Sequence, residues 1–355
     1  MRALIFRDTQ LAVAEIPEPE PDEGQVLVKT LAAGICGSDV HILDLSSKAP
    51  PGTFLDDVVW GHEFCCEVLE HGPNTDKTLA PGTRVCSVPM ATSPKGASML
   101  GSAAERPGGF AERMVLNESL LVPVPDGMST ELAVLTEPMA VGWHAVQKAR
   151  LSPGDVPLVV GCGPVGLAVI AGLAITGVHP IIAADFSPTR RKMAEAMGAD
   201  IVLDPAVDSP YERWQDALKP AGVEADADSQ IDIRAILGFG PKLRPGVIFE
   251  CVGIPGIIQQ ILSGAMRDTR VVIVGVCMEQ DQILPLTGLT KQINLQFAVG
   301  YSPQEFAQTL KHLAEGKIDG SSWITGRVGL DGAPQAFTDL KDPEQHVKIL
   351  IEPWR

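Results

Sequence analysis

The chain changes rhythm near residue 140. Before it, apolar positions fall in short runs such as Gln25–Thr30 and Glu67–Glu70. Turn-forming clusters separate them: P-E-P-E-P-D-E-G at 17–24, P-P-G at 50–52, A-P-G-T-R at 80–84 and P-G-G-F at 107–110. Proline removes a backbone donor and glycine admits backbone angles that other residues avoid, so this pattern predicts short strands between long loops. The opening M-R-A-L-I-F-R reads as a strand. From 140 to 299 the pattern becomes strand, helix, strand, helix. Strands are expected at Val156–Val160, Pro180–Asp185, Val247–Cys251 and Arg270–Val276, and helices at Val165–Gly177 and Thr189–Gly198. Such alternation predicts a doubly wound parallel sheet. Beyond it, Pro303–Lys317 has the period of an amphipathic helix and His346–Ile351 that of a strand. The polar run Val207–Arg234 has no clear period, and the chain has no internal repeat.

Composition narrows the function. At 355 residues the chain exceeds one ordinary core, which implies two domains. Hydrophobic residues make up 45% and charged residues 20%, a globular balance. The net charge of −16 argues against a nucleic-acid partner, because phosphate binding needs a basic face. The longest apolar run, near 156–175, is broken by glycines and does not read as a membrane span. The N-terminus lacks the apolar stretch and cleavage site of a signal peptide, so a soluble, cytoplasmic protein is expected. Seven scattered cysteines, an odd number, do not suggest a disulfide framework.

The run V-V-G-C-G-P-V-G at 159–166 follows an expected strand and opens an expected helix. In such a loop Gly161 permits the tight turn, Gly163 lets a pyrophosphate approach the backbone, and Gly166 allows close packing. Pro164 and Val165 begin the helix, whose free amides and dipole favour an anion. The second strand ends in A-A-D-F. A carboxylate at Asp185 would accept from both ribose hydroxyls and repel a 2′-phosphate, which favours NAD over NADP. Arg190 and Arg191 pull the other way, since an arginine there could take that phosphate.

A second set of residues has metal-binding chemistry: Cys36 in G-I-C-G-S-D-V-H, His62 and Glu63 in W-G-H-E-F, and Glu137 in T-E-P-M-A-V-G-W-H-A. Zinc takes thiolate, imidazole and carboxylate, and catalytic sites use three protein ligands with one position open. Residue type alone does not bring these side chains together, because they lie far apart along the chain.

The motifs G-I-C-G-S-D-V-H, G-H-E, G-G-F-A-E, E-P-M-A-V-G-W-H-A, G-x-G-x-x-G, F-E-C-V-G and H-V-K-I-L run in order from one end of the chain to the other. As a set they resemble the medium-chain, zinc-dependent alcohol and polyol dehydrogenases, on the branch of sorbitol, threonine and glucose dehydrogenases. The resemblance implies a GroES-like, β-rich catalytic domain over 1–139 and 300–355 and a Rossmann NAD-binding domain over 140–299. It matches Cys36, His62 and Glu137 to the catalytic zinc ligands and Glu63 to a neighbour that approaches the metal in some members. Ser38 and His41 match a relay that carries the substrate proton to solvent. Val274, Gly275, Val276 and Val299 match contacts to the carboxamide end of the cofactor, Val252 and Gly253 the stretch beside the nicotinamide ribose, and Lys348 a basic residue near the pyrophosphate.

The same resemblance implies one zinc per chain. The lobe that holds a second, structural zinc in many members has no cysteines here beyond Cys86. It implies a homodimer or homotetramer, with Arg270–Cys277 and the apolar I-L-P-L at 283–286 as the pairing edge. Secondary alcohols and polyols are the expected substrates. Alternatives are a hydroxy amino acid, an aldose, or a relative that is non-catalytic or reduces C=C bonds. Pocket positions by family analogy are Ser47, Pro89, Val276 and Ala298.

Overall fold

The computed structural model describes residues 1–49, 53, 57–93, 96–219 and 243–355. The chain forms two compact units, Met1–Val141 with Gly300–Arg355, and Gly142–Val299. No helix among the described residues is long and apolar enough to cross a membrane.

The first unit opens with an antiparallel hairpin, Arg2–Arg7 on Gln10–Glu15, turned at Asp8 and Thr9 in the left-handed region. Its main sheet has seven strands. The order is Ile324–Val328, Lys348–Ile351, Gln25–Gly34, Glu63–His71, Arg84–Ser87 and Leu121–Pro123, with Arg113–Asn117 also paired to Gln25–Gly34. The short strands expected at 25–30 and 67–70 are therefore the middles of longer ones. Apolar side chains from this sheet and the helix Ala333–Asp339 share one core that includes Phe64, Phe110, Met114, Phe337 and Ile349. Burying each such side chain contributes about 1.5–3 kcal/mol. The last strand pairs antiparallel with the long one, Leu350 opposite Gly34 and Ile351 opposite Ala33. This register inserts the C-terminus into the N-terminal sheet and places Lys348 beside the loop that follows Gly34.

The second unit is a six-stranded parallel sheet. Its order is Ile201–Leu203, Ile182–Ala184, Val156–Val160, Gly246–Glu250, Arg270–Ile273 and Asn294–Phe297. The strand Val156–Val160 is buried throughout, as a parallel strand covered on both faces must be. The helices Pro188–Ala196 and Pro210–Leu218 both start at a Ser-Pro pair. The serine accepts from a first-turn amide and the proline sits where no amide partner is needed. The second of these helices falls inside the run that resisted assignment. It is tied down by buried Trp214, whose indole donates to the Val156 carbonyl at 2.9 Å. The rest of that run, 220–234, lies outside the described residues.

One expectation needs correction. Arg270–Cys277 is not an edge: its strand ends at Ile273 and is paired on both sides. The I-L-P-L segment is not a strand either, since Pro285 starts the helix Pro285–Lys291. Among the described residues the edge strand on this side of the sheet is Asn294–Phe297.

Candidate metal centre and nucleotide-binding loop

Three of the four metal candidates converge. Ligand-type atoms of Cys36, His62 and Glu63 lie within 4.8 Å of one another. Cys36 caps the helix Gly37–Ser46, and His62 immediately precedes the strand Glu63–His71. Asp39, which belongs to none of the ligand positions expected from the sequence, links the two. One of its carboxylate oxygens accepts from the Cys36 amide at 3.0 Å, and the other lies 3.7 Å from His62 Nδ1. The available signal was a carboxylate three residues beyond a helix-capping position, where it can reach back to the cap amide.

Glu137, in the first turn of the helix Thr136–Lys148, is not in that tight group, yet its charge and that of His62 act on each other. Burial raises its carboxyl to about 7, against the pull of His62. Its Oε1 accepts from the Tyr301 hydroxyl at 2.8 Å. Burial works against charge on His62, but Asp39, Cys36 and Glu137 together hold its pKa well above the ordinary value. The field at this ring is the one a cation would meet.

Glu63 and Glu137 differ in their partners. Glu63 is fully buried, and both its oxygens accept from Lys348 Nζ at 2.7 Å. The third Lys348 proton goes to the Ile35 carbonyl at 3.0 Å. Burial disfavours the Lys348 charge, but Glu63 more than restores it and the pKa rises. Gly34 makes room for this pair: a Cβ there would lie 2.1 Å from Glu63 Oε2. Lys348, expected near the pyrophosphate, has its donors engaged within the first unit. Only 1% of it is exposed and its three donors are taken, so none remains for a phosphate. Ser38 is half-buried and His41 exposed on the helix Gly37–Ser46.

In the second unit Gly161, with φ +92°, turns the chain out of its strand, and the helix Pro164–Thr176 starts directly after Gly163. A Cβ on Gly166 would fall 1.9 Å from the Gly161 carbonyl, so only glycine allows this approach. At Gly163 the space is open, with only Arg190 near, at 3.9 Å. Backbone amides facing open space at a helix start are what a pyrophosphate requires. Asp185 accepts from the Cys162 amide at 2.7 Å and from the Ser187 amide at 2.8 Å, one on each oxygen. Arg190 lies 4.0 Å from it, while Arg191 is occupied by the carbonyls of Asp185 and Phe186 and by Asp204.

Val252 and Gly253 both donate to buried Glu250, at 2.7 and 2.8 Å, and Val274 and Gly275 donate to the Glu250 carbonyl. Glu250 therefore shapes both loops expected near the nicotinamide, a role its place at a strand end did not announce. Val276 and Val299 are exposed.

Comparison with known proteins agrees with these features. Residues 22–126 match the alcohol dehydrogenase GroES-like domain and 164–315 the zinc-binding dehydrogenase domain. The chain is 30% identical over 360 residues to (R,R)-butanediol dehydrogenase of Bacillus subtilis (strain 168), covering 97% of this chain and 96% of that one. It is 26% identical to sorbitol dehydrogenase of the same organism, over 100% of this chain and 98% of the relative. The crystal structure of 2R,3R-butanediol dehydrogenase from Bacillus subtilis superposes with a TM-score of 0.78 at 28% identity, over 99% of both chains.

Proposed function

Because this chain belongs to the zinc-dependent medium-chain alcohol and polyol dehydrogenases, which move a hydride between a CH–OH carbon and a nicotinamide cofactor, we propose that it does so with one zinc and with NAD. The ligands in this reading are Cys36, His62 and Glu137. The observation that carries it is the meeting of the Cys36 and His62 ligand atoms in the field of the buried Glu137 carboxylate, whose charge acts on His62. Glu63 fits less well as a resident ligand, since both its oxygens are neutralised by Lys348.

Zinc, when bound, supplies a Lewis acid that makes a coordinated hydroxyl more acidic. The chain's own work is to receive and release that proton. Ser38 and His41 stand three apart on one helix and so share a face, running from a half-buried hydroxyl to an exposed ring. Asp39 acts on His62 through its charge, 3.7 Å from the ring nitrogen, and Lys348 keeps Glu63 in place. The amides that follow Gly163 would take the pyrophosphate, and Asp185 the ribose hydroxyls. The names of the two relatives, a diol and a polyol dehydrogenase, favour a secondary alcohol of that class as substrate. A homodimer through the Asn294–Phe297 edge is supported by exposed Phe297, Leu289, Leu286 and Leu284 beside it.

A panel of secondary alcohols, diols and polyols, followed by NADH absorbance, tests the activity. Elemental analysis tests the metal, with one zinc per chain expected. Cys36→Ser should lose zinc and nearly all turnover. Two tightly held zincs, or a fully active Cys36→Ser enzyme, would overturn the ligand set.

A further inference from the structure

Tyr301 is absent from every motif noted in the sequence, yet it is the neutral hydrogen-bond donor at the candidate metal centre. Its hydroxyl donates to Glu137 Oε1 at 2.8 Å across 164 residues of sequence. The ring is held in position. Ser302 caps the helix Pro303–Ala314 and shares a capping box with Glu305, which fixes the backbone beside Tyr301. Phe306, in that helix, packs on the Tyr301 ring with centroids 5.5 Å apart.

We propose that Tyr301 is a positioning residue that fixes Glu137 as a one-oxygen ligand, occupying Oε1 and presenting Oε2 to the metal. The proposal rests on the reading of Glu137 as a zinc ligand. The two carboxylates of the site explain the physics. A carboxylate with both oxygens free can bind a cation through either or both, and can swing between those modes. One with a single oxygen held in a charge-assisted hydrogen bond has one orientation left. Glu63 has neither oxygen free, because Lys348 takes both. Glu137 has one taken by a neutral phenol, which brings no countercharge and leaves the other oxygen for the metal. A lysine at this place would cancel that charge, and a phenylalanine would leave the carboxylate unsteered.

The test uses the full-length protein loaded with zinc, and separately with Co²⁺ as a spectroscopic probe. Zinc affinity is measured by competition with a chromophoric chelator, and carboxylate binding mode by the visible absorption of the cobalt form. Tyr301→Phe keeps the ring on Phe306 and removes only the hydroxyl. It should weaken zinc binding by about 10–100-fold, the size usual for partners that orient a metal ligand, and shift the cobalt bands. Unfolding of the metal-free variant should stay near wild type.

Glu137→Ala should weaken zinc further, and adding Tyr301→Phe to it should change nothing more, because the hydroxyl acts through that carboxylate. Wild-type affinity and spectrum in Tyr301→Phe would overturn the positioning role alone. Additive losses in the double variant would overturn it too. A Glu137→Ala protein that binds zinc as wild type does would remove the ligand reading and this inference with it.

Discussion

The candidate metal centre and the nucleotide loop solve opposite problems. At the first, side chains do the work: Cys36, His62 and Glu63 bring thiol, imidazole and acid within 4.8 Å of one another, and buried Glu137 acts on His62 through its charge. At the second, the backbone does it: Gly161 and Gly166 allow close approaches within the protein that a side chain would block, and Gly163 faces open space at the helix start. A cluster of buried acids is costly until charge is balanced and hydrogen bonds are made: Lys348 supplies the first to Glu63, and Tyr301 the second to Glu137. A glycine loop needs no countercharge, only the absence of side chains. The metal centre is therefore sensitive to changes of charge, and the loop to changes of volume.

The largest expected effect breaks the charge balance. Lys348→Met would leave Glu63 buried without its cation, a loss of about 3–5 kcal/mol of stability. Denaturant unfolding of the metal-free protein should show it, while NAD affinity by NADH fluorescence titration stays unchanged. Unaltered stability together with weakened NAD binding would return Lys348 to the pyrophosphate.

A smaller effect sharpens the loop side of the comparison. Asp185→Ser removes an acceptor of about 1.5–3 kcal/mol in charged hydrogen bonds and lifts the repulsion of a 2′-phosphate. The ratio of kcat/KM for NAD over NADP should fall by about the corresponding 10–100-fold, with Arg190 free to meet the phosphate. A wild type that already prefers NADP would contradict the role given to Asp185.

The smallest effect lies between the two regions in kind, since it concerns proton traffic rather than binding. His41→Gln should slow alcohol oxidation near neutral pH by about 10-fold, at or below the low end of direct acid–base catalysis, because water can substitute. Added imidazole should restore part of the rate, and zinc content should not change. Equal rates in variant and wild type would leave His41 a plain surface residue.

Much of the second unit is legible in the sequence because its signals are short-range. Val156–Val160 is a strand with the expected bounds, and the helices at 164–176 and 188–196 differ from expectation by a residue or two at each end. The edge was misplaced for a long-range reason. Arg270–Ile273 and Asn294–Phe297 are both apolar enough to be strands, and only pairing shows which one lacks a neighbour. In the first unit the chemistry-bearing residue types stand out in sequence, but their partners do not. Asp39 was within reach of a capping argument. Tyr301 and Lys348 were not, since nothing near either residue mentions Glu137 or Glu63.

Taken alone, the order of residues determined the alternation of strand and helix, the glycine loop with its carboxylate, and the kind of ligand atoms on offer. All of these depend on neighbours within a few turns or a single strand. Tertiary structure alone decided which acid is paired with a cation and which with a neutral phenol. The Lys348–Glu63 contact spans 285 residues and exists because Leu350 pairs opposite Gly34. The Tyr301–Glu137 contact spans 164. Local periodicity carries no record of such distances; the register of one antiparallel ladder and the path of one helix set them.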